Sequence, residues 1–159
     1  MADFEYSQNN MFADMQDASL FEKAQQYGVD YLEKAFERNV YPTQAALQNL
    51  SVFDEDMPSQ STNAKNIIDM LHQFGAPATV SQVGGRYFGF VCGSSVPAGL
   101  AAKTLATYWD QNAAMHVLSP IASKLESVVE NWLKQIFQLP SSTVAGYVSG
   151  TSLATYCGL

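Results

Sequence analysis

Charge is scarce in this chain. Asp, Glu, Lys and Arg together make up 14% of its 159 residues, against roughly 25% in ordinary soluble domains. With 47% hydrophobic residues, the deficit means that much of the surface is built to be covered, by a partner subunit or by further sequence. Basic residues are scarcer still: 8 Lys plus Arg against 15 Asp plus Glu leave a net charge of −7. No basic stripe is present to follow a phosphate backbone, so no nucleic-acid partner is expected. No apolar run approaches the roughly 18 residues needed to cross a bilayer, so no membrane partner is expected either. Two cysteines, Cys92 and Cys157, make no disulfide framework. His72 and His116 have no carboxylate or cysteine at ligand spacing, so no metal site is expected. The opening MADFEYSQNNMFADMQD is acidic and polar, unlike a secretory or mitochondrial signal, and the expected compartment is the cytoplasm.

What is present is mostly helical pattern. Residues 1–16, rich in Asn, Gln and Asp, read as a flexible arm. Ser19-Leu-Phe-Glu22 has the spacing of a capping box, and Phe21, Ala24, Gly28, Tyr31, Leu32 and Ala35 then form one stripe of a helix ending near Asn39. Pro42-Thr-Gln starts a second, short helix through Leu50. Phe53 to Thr62 is acidic, then Ser/Pro-rich, and reads as a loop. Thr62 or Asn63 caps a helix carrying Ile67, Ile68, Leu71 and Phe74, and Gly75-Ala-Pro77 stops it. Ser95 with Pro97 opens a helix bearing Leu100, Thr104, Leu105 and Tyr108. Ser119-Pro120 opens the clearest one, with Ile121, Leu125, Val128, Val129, Trp132, Leu133 and Ile136 on one face and Pro140 beyond its end. Val144–Val148 reads as a strand, the only one. The six lysines (23, 34, 65, 103, 124 and 134) fall mostly on polar helix faces and read as solvated surface charges.

Two stretches point to chemistry. The first is the strand followed by Ser149-Gly-Thr-Ser152 and a helix start. The first N–H groups of a helix have no internal partners and carry the positive end of its dipole, so such a turn suits a phosphate. Gly150 would let the backbone approach, and Thr151 and Ser152 would add hydroxyl donors. No Lys follows, so it is not a Walker loop, and a plain helix cap is the alternative. The second is V-G-G-R-Y-F-G-F-V-C-G-S-S-V-P, Val83 to Pro97, with four glycines and three aromatics. If extended, it points Phe88, Phe90 and Cys92 to one side and Tyr87, Gly89 and Val91 to the other. It is suited either to lining an apolar pocket or to packing as a buried connection. No placed base accompanies Ser149 or Ser152, so no Ser-His-Asp site is expected.

Taken together, R-Y-F-G-F-V-x-G-S-x-x-P-A, then D-Q-N, then S-P-x-x-x-x-L-E-x-x-V-x-x-W-L, then S-G-T-S-x-A-T come in an order and spacing that resembles the amino-terminal third of the pyridoxal-phosphate-dependent group II amino-acid decarboxylases. The resemblance runs from about Ser19 to Leu159 and is strongest from Arg86 onward. It implies a chain that is mostly α, the front of a three-layer α/β fold of the PLP-dependent transferase type (fold type I). Residues 17–96 would form an amino-terminal helical segment, and 97–159 the start of a cofactor-binding large domain, truncated. It implies pyridoxal phosphate as cofactor, bound at Gly150, Thr151 and Ser152, and an amino-acid substrate contacted by Phe88, Phe90, Val91 and Cys92. It also implies a homodimer formed through the amino-terminal helices. Two positions depart from the family pattern: Gly84-Gly85 stands where many members have His-Pro, and Thr155 where many have Asn. The family's cofactor-bearing lysine, its ring-stacking histidine and the aspartate that pairs with the pyridine nitrogen would all lie past Leu159, so no catalytic residue is expected in this chain. The expectation is an inactive fragment of a decarboxylase. An aminotransferase or carbon–carbon lyase of the same fold, and a helical dimerisation module without cofactor, are the alternatives.

Overall fold

The computed structural model describes residues 2–59 and 61–159; Met1, at the head of the expected arm, and Gln60, in the loop before Thr62, lie outside the described residues. Among the described residues seven α-helices follow one another: α1 Ala2–Gln16, α2 Ala18–Lys34, α3 Gln44–Gln48, α4 Ala64–Met70, α5 Pro97–Trp109, α6 Pro120–Ile136 and α7 Thr151–Gly158. Short 3-10 turns extend α3 through Asn49–Phe53 and close the α4 region at Ala76–Ala78, and a single π-helical turn occupies Leu71–Gly75. No β-strand forms among the described residues, so the chain is mostly α. It divides into two compact units, residues 1–95 and 96–159.

In the first unit the polar segment 1–16, expected as a flexible arm, holds α1. Asn and Asp weaken a helix only mildly, and Ala2–Gln16 contains neither Pro nor Gly to break one. The cap of α2 is Asp17, not Ser19. Its carboxylate accepts from the Ser19 N–H at 3.0 Å and from the Ser19 hydroxyl at 2.6 Å, and it pairs with Lys65 of α4 at 2.8 Å. An aspartate serves better there because it both caps the helix and offers a charge to α4. Thr43 and Asn63 cap α3 and α4 through their side chains.

Polar anchors more than apolar packing hold this unit. Among the described residues the buried apolar side chains are only Ala35 and Ala46. Arg38, past the end of α2, donates to the carbonyls of Ala76, Pro77 and Thr79 at 3.1–3.2 Å and lies 5.0 Å over the Tyr31 ring. Those carbonyls end a helical run, where a cation is favoured. Buried Ser81 ties the returning chain to the same region, its hydroxyl donating to the Ala35 carbonyl at 3.1 Å and its N–H to that of Val40 at 2.8 Å.

In the second unit, α6 starts at a fully buried Ser119 whose hydroxyl accepts from the Ala122 N–H. Asp110, in the left-handed region with φ 47°, ends α5. The expected strand at Val144–Val148 is instead an unpaired run alongside α6. Glu130 accepts from the Ala145 N–H at 2.9 Å, and the Tyr147 hydroxyl donates to the Glu126 carbonyl at 2.8 Å. A strand is a ladder with a neighbour, and no second extended segment is present among the described residues to supply one.

The ties between α2 and α4 predict an acid response. Lys65 first and then Ser19 hold the Asp17 carboxyl down, from 3.8 to about 2, and Lys23 first and then Tyr27 hold that of Asp69 below its usual value. A carboxyl depressed on folding contributes stability above its unfolded value and loses it as pH falls through the folded one. Helical circular dichroism should stay level from neutral pH to about 4 and decline between about 4 and 2. Both groups are solvent-screened, so the decline should be modest. Asp17→Asn should lower the neutral-pH melting temperature and remove the lower part of the acid decline; an unchanged profile would contradict this account.

Candidate functional site

The chain reaches the Ser149–Ser152 turn by way of α6. After Pro140 a turn closed by the Thr143 N–H on the Pro140 carbonyl, 3.0 Å, sends the backbone back along the helix, where Glu130 and the Tyr147 hydroxyl hold it. Lys134, 2.7 Å away, and then the Ala145 N–H keep the Glu130 carboxyl below its ordinary value, so it remains an anionic acceptor. Gly150 then leads into α7 with extended backbone, φ 175° and ψ 162°. Any residue adopts that conformation, so its use lies in space: no protein atom comes within 4 Å of where a Cβ would sit.

The start of α7 is an open donor set. The Ala154 N–H reaches the Gly150 carbonyl at 3.0 Å as the first helical bond, and no side chain caps the helix. The N–H groups of Thr151, Ser152 and Leu153 are therefore the unpartnered amides that every helix start presents. Thr151 and Ser152 are exposed, and their hydroxyls make no hydrogen bond among the described residues. Thr155 turns its hydroxyl back to the Thr151 carbonyl at 3.1 Å. These donors fit a phosphate group's oxygens. No Lys or Arg follows Lys134 in the sequence, so the positive potential at this turn comes from the helix dipole.

The aromatic-glycine stretch forms an irregular loop in the first unit. Its base is fixed to the end of α2: Arg86 donates to the carbonyls of Phe36 and Arg38, and Gly84, at φ 102°, leaves only 3.0 Å between a Cβ position and the Phe36 ring. Its tip departs from the expected extended alternation, because Phe90 and Val91 both lie in the left-handed region, φ 54° and 53°. For a β-branched residue that conformation is strained. Phe88 and Phe90 are 93% exposed, Val91 fully exposed, and Cys92 exposed, so the loop is not a buried connection. The Tyr87 hydroxyl, 3.8 Å from the Cys92 sulfur, has its pKa raised by that contact. The four loop residues thus stand together, while Gly150, Thr151 and Ser152 stand together in the other unit.

Two grooves among the described residues are not lined by these side chains. One, about 540 Å³, lies among Tyr31, Lys34, Arg38, Tyr41, His72 and Pro77. The other, about 610 Å³, lies between Met11 and Met15 of α1 and Leu20 and Phe21 of α2. Beside the first groove is a polar cluster that the sequence did not signal. Lys23 lies 2.6 Å from the Asp69 carboxylate, the Tyr27 hydroxyl donates to it at 2.6 Å, and the Tyr27 ring stacks on His72 at 3.7 Å and 8°. Lysines 23, 65 and 134 are thus in ion pairs at the partly exposed surface. Only the Glu130–Lys134 pair, at i,i+4, had a local signal. Among the described residues no cluster of His, Cys, Asp and Glu is placed to hold a metal, and no helix is long and apolar enough to cross a membrane.

Over 104 residues, 65% of this chain and 20% of the relative, the chain is 28% identical to L-tyrosine/L-DOPA decarboxylase 2 of Lophophora williamsii. Over 134 residues, 81% of this chain and 26% of the relative, it is 23% identical to tyrosine decarboxylase 1 of Narcissus pseudonarcissus. The chain therefore spans about a fifth to a quarter of the length of these curated relatives. No family model matches it, and no solved structure matches it.

The Gly84 contact gives a direct test of how the loop is anchored. Gly84→Ala combines a positive φ with a clash against the Phe36 ring, and should destabilise the chain by more than about 1 kcal/mol in urea unfolding. Gly85→Ala, with nothing within 4 Å of its Cβ position, should change stability far less.

Proposed function

We propose that this chain is the amino-terminal part of a pyridoxal-phosphate-dependent decarboxylase, a carboxy-lyase acting on an aromatic L-amino acid. The observation that carries the reading is the open start of α7, where backbone amides and the hydroxyls of Thr151 and Ser152 stand free beside the uncluttered Gly150. Partial similarity to two tyrosine decarboxylases supports descent from a decarboxylase, and the tyrosine in both their names is the reason for choosing an aromatic amino acid here. In this reading the large domain of a fold-type-I enzyme begins near residue 97.

When bound, the cofactor supplies a conjugated ring that takes up the electron pair left as carbon dioxide departs. This chain's part is to hold and orient it. The amides of Thr151 and Ser152 and their hydroxyls would grip the phosphate, with the α7 dipole balancing its charge. Phe88, Phe90, Val91 and Cys92 would give an apolar wall to the substrate's side chain and exclude water from it. Two copies would associate through the amino-terminal helices, where Met11, Phe12 and Met15 of α1 are all more than half exposed. The enzyme would act in the cytoplasm.

The chain alone would be inactive. Three of its six lysines are held by carboxylates, and none lies near the α7 start in sequence, the nearest being Lys134. With pyridoxal phosphate and L-tyrosine or L-DOPA, the 159-residue chain should release no carbon dioxide. Pyridoxal phosphate, but not pyridoxal, should shift the amide resonances of Thr151, Ser152 and Leu153. Thr151→Val with Ser152→Ala should weaken that binding about tenfold or more, since each lost hydrogen bond to a charged group is worth about 1.5–3 kcal/mol. Turnover by the chain alone would refute the inactive-fragment reading, and unmoved amides would refute the phosphate site and favour a helical module without cofactor. In an enzyme carrying this chain with its downstream sequence, carbon dioxide and amine as products would exclude the aminotransferase alternative, which yields a keto acid.

A further inference from the structure

The groove of about 540 Å³ in the first unit takes its walls from the end of α2, the turn into α3 and the π-helical turn Leu71–Gly75. That volume lies within the range of about 300–1,000 Å³ usual for small-molecule clefts. π-Helical turns are rare and recur at functional positions, and this one carries His72 and Gln73 into the lining. Tyr27 is stacked on His72 at 3.7 Å without being a wall itself, and its hydroxyl is fixed to Asp69, which Lys23 neutralises. Flat surfaces form much of the rest: the rings of Tyr31 and Tyr41, with Pro42 and Pro77. Such walls suit a flat aromatic ring.

Two opposite charges line this groove without joining. Asp30 and Lys34 stand one helical turn apart on α2, about 6 Å along its axis. Neither forms an ion pair with the other or with any other described residue. Asp30 accepts from the Gln26 side-chain amide at 2.7 Å, and the Lys34 ammonium has no partner among the described residues. The other cation of the lining, Arg38, is already committed to the carbonyls of Ala76, Pro77 and Thr79. Glu33 and Glu37, the adjoining carboxylates in sequence, are not among the walls.

We propose that this groove binds a free aromatic α-amino acid as its zwitterion, with the carboxylate on the Lys34 ammonium, the amine on the Asp30 carboxylate and the ring among Tyr41, Pro42 and Pro77. An α-amino acid carries both charges on one carbon, so it bridges the two side chains as a single group. The direct Asp30–Lys34 pair that the ligand forestalls would be a partly exposed i,i+4 pair, worth little by itself. Each charge also rejects. Asp30 disfavours a bare carboxylate and Lys34 a bare amine, so together they select the zwitterion over either half of it. The groove is open, Tyr41 being 66% exposed, so binding is weak and exchange is fast. The site uses neither the start of α7 nor the loop at residues 88–92. It does not rest on the decarboxylase reading, and its failure would leave that reading untouched.

NMR titration of the 159-residue chain with L-phenylalanine, 3-phenylpropionate and 2-phenylethylamine tests this. L-Phenylalanine should move the amide resonances of Tyr31, Lys34, Tyr41 and Gln73 with a Kd on the order of 1 mM. The acid and the amine each lack one charged head, and should bind at least about threefold more weakly, the scale of a partly exposed ion pair. Asp30→Asn should weaken L-phenylalanine about threefold or more while leaving 3-phenylpropionate no weaker than before. Lys34→Met should do the converse, leaving 2-phenylethylamine no weaker. A merely loosened fold would weaken all three ligands together. If a variant loses its helical circular dichroism, the three ligands compared on the unaltered chain decide the matter. No shift at about 20 mM L-phenylalanine, shifts confined to residues 88–92, or L-phenylalanine bound no more tightly than 3-phenylpropionate would each overturn the proposal.

Discussion

Arg38 gathers the carbonyls of Ala76, Pro77 and Thr79 with one guanidinium and stacks on Tyr31. Most of what is ordered in the first unit is reached from that point. The π-helical turn, the groove beside it and the return of the chain to Ser81 all lie where the end of the α4 region is pinned to the end of α2. Arg86 repeats the device one loop later, binding the carbonyls of Phe36 and Arg38. Two arginines, the only two in the sequence, are thus spent on backbone oxygens at element ends. Such a rigid five-donor fork supplies there what a larger apolar core would supply elsewhere.

The thin core and the low charge content are one fact seen twice. Helices of ordinary length need an apolar face, and these have one, yet Ala35 and Ala46 are the buried apolar residues among those described. The faces of α1, α5 and α6 stay open in each unit, and few charges are placed to keep them soluble. The same economy explains why the turn before α7 can be well formed locally while little surrounds it. A helix start needs only its own backbone to present donors, whereas a pocket needs walls from several elements.

This division also marks what could be read from the sequence. Ser119-Pro120 followed by an i, i+3, i+4 stripe is self-contained, and α6 forms where expected. The Pro97 start and the Asn63 cap are equally local. Asp17 displaced Ser19 as a cap because Lys65, 48 residues on, adds a charge that no local rule can see. The Val144–Val148 strand failed for the opposite reason: its composition suits a strand, but the ladder partner is absent among the described residues. The Asp69 cluster, joining residues 42 and 46 apart in sequence, left no local trace, and the left-handed tip at Phe90 and Val91 ran against the residue preferences by which sequence is read. The two groups of residues expected to bind ligand lie in separate units. Each is contiguous in the chain, and each remains together in the structure.

The Glu130 contact with the Ala145 N–H gives the Val144–Val148 run an occupied edge. A neighbouring strand that pairs through that N–H must first displace a carboxylate, and the displaced group is not stranded, since Lys134 already neutralises it on its own helix. The run is thus parked along α6, held by a ligand that can be surrendered without exposing an unmatched charge. Any strand that paired with this segment would exchange one acceptor for another at the Ala145 N–H.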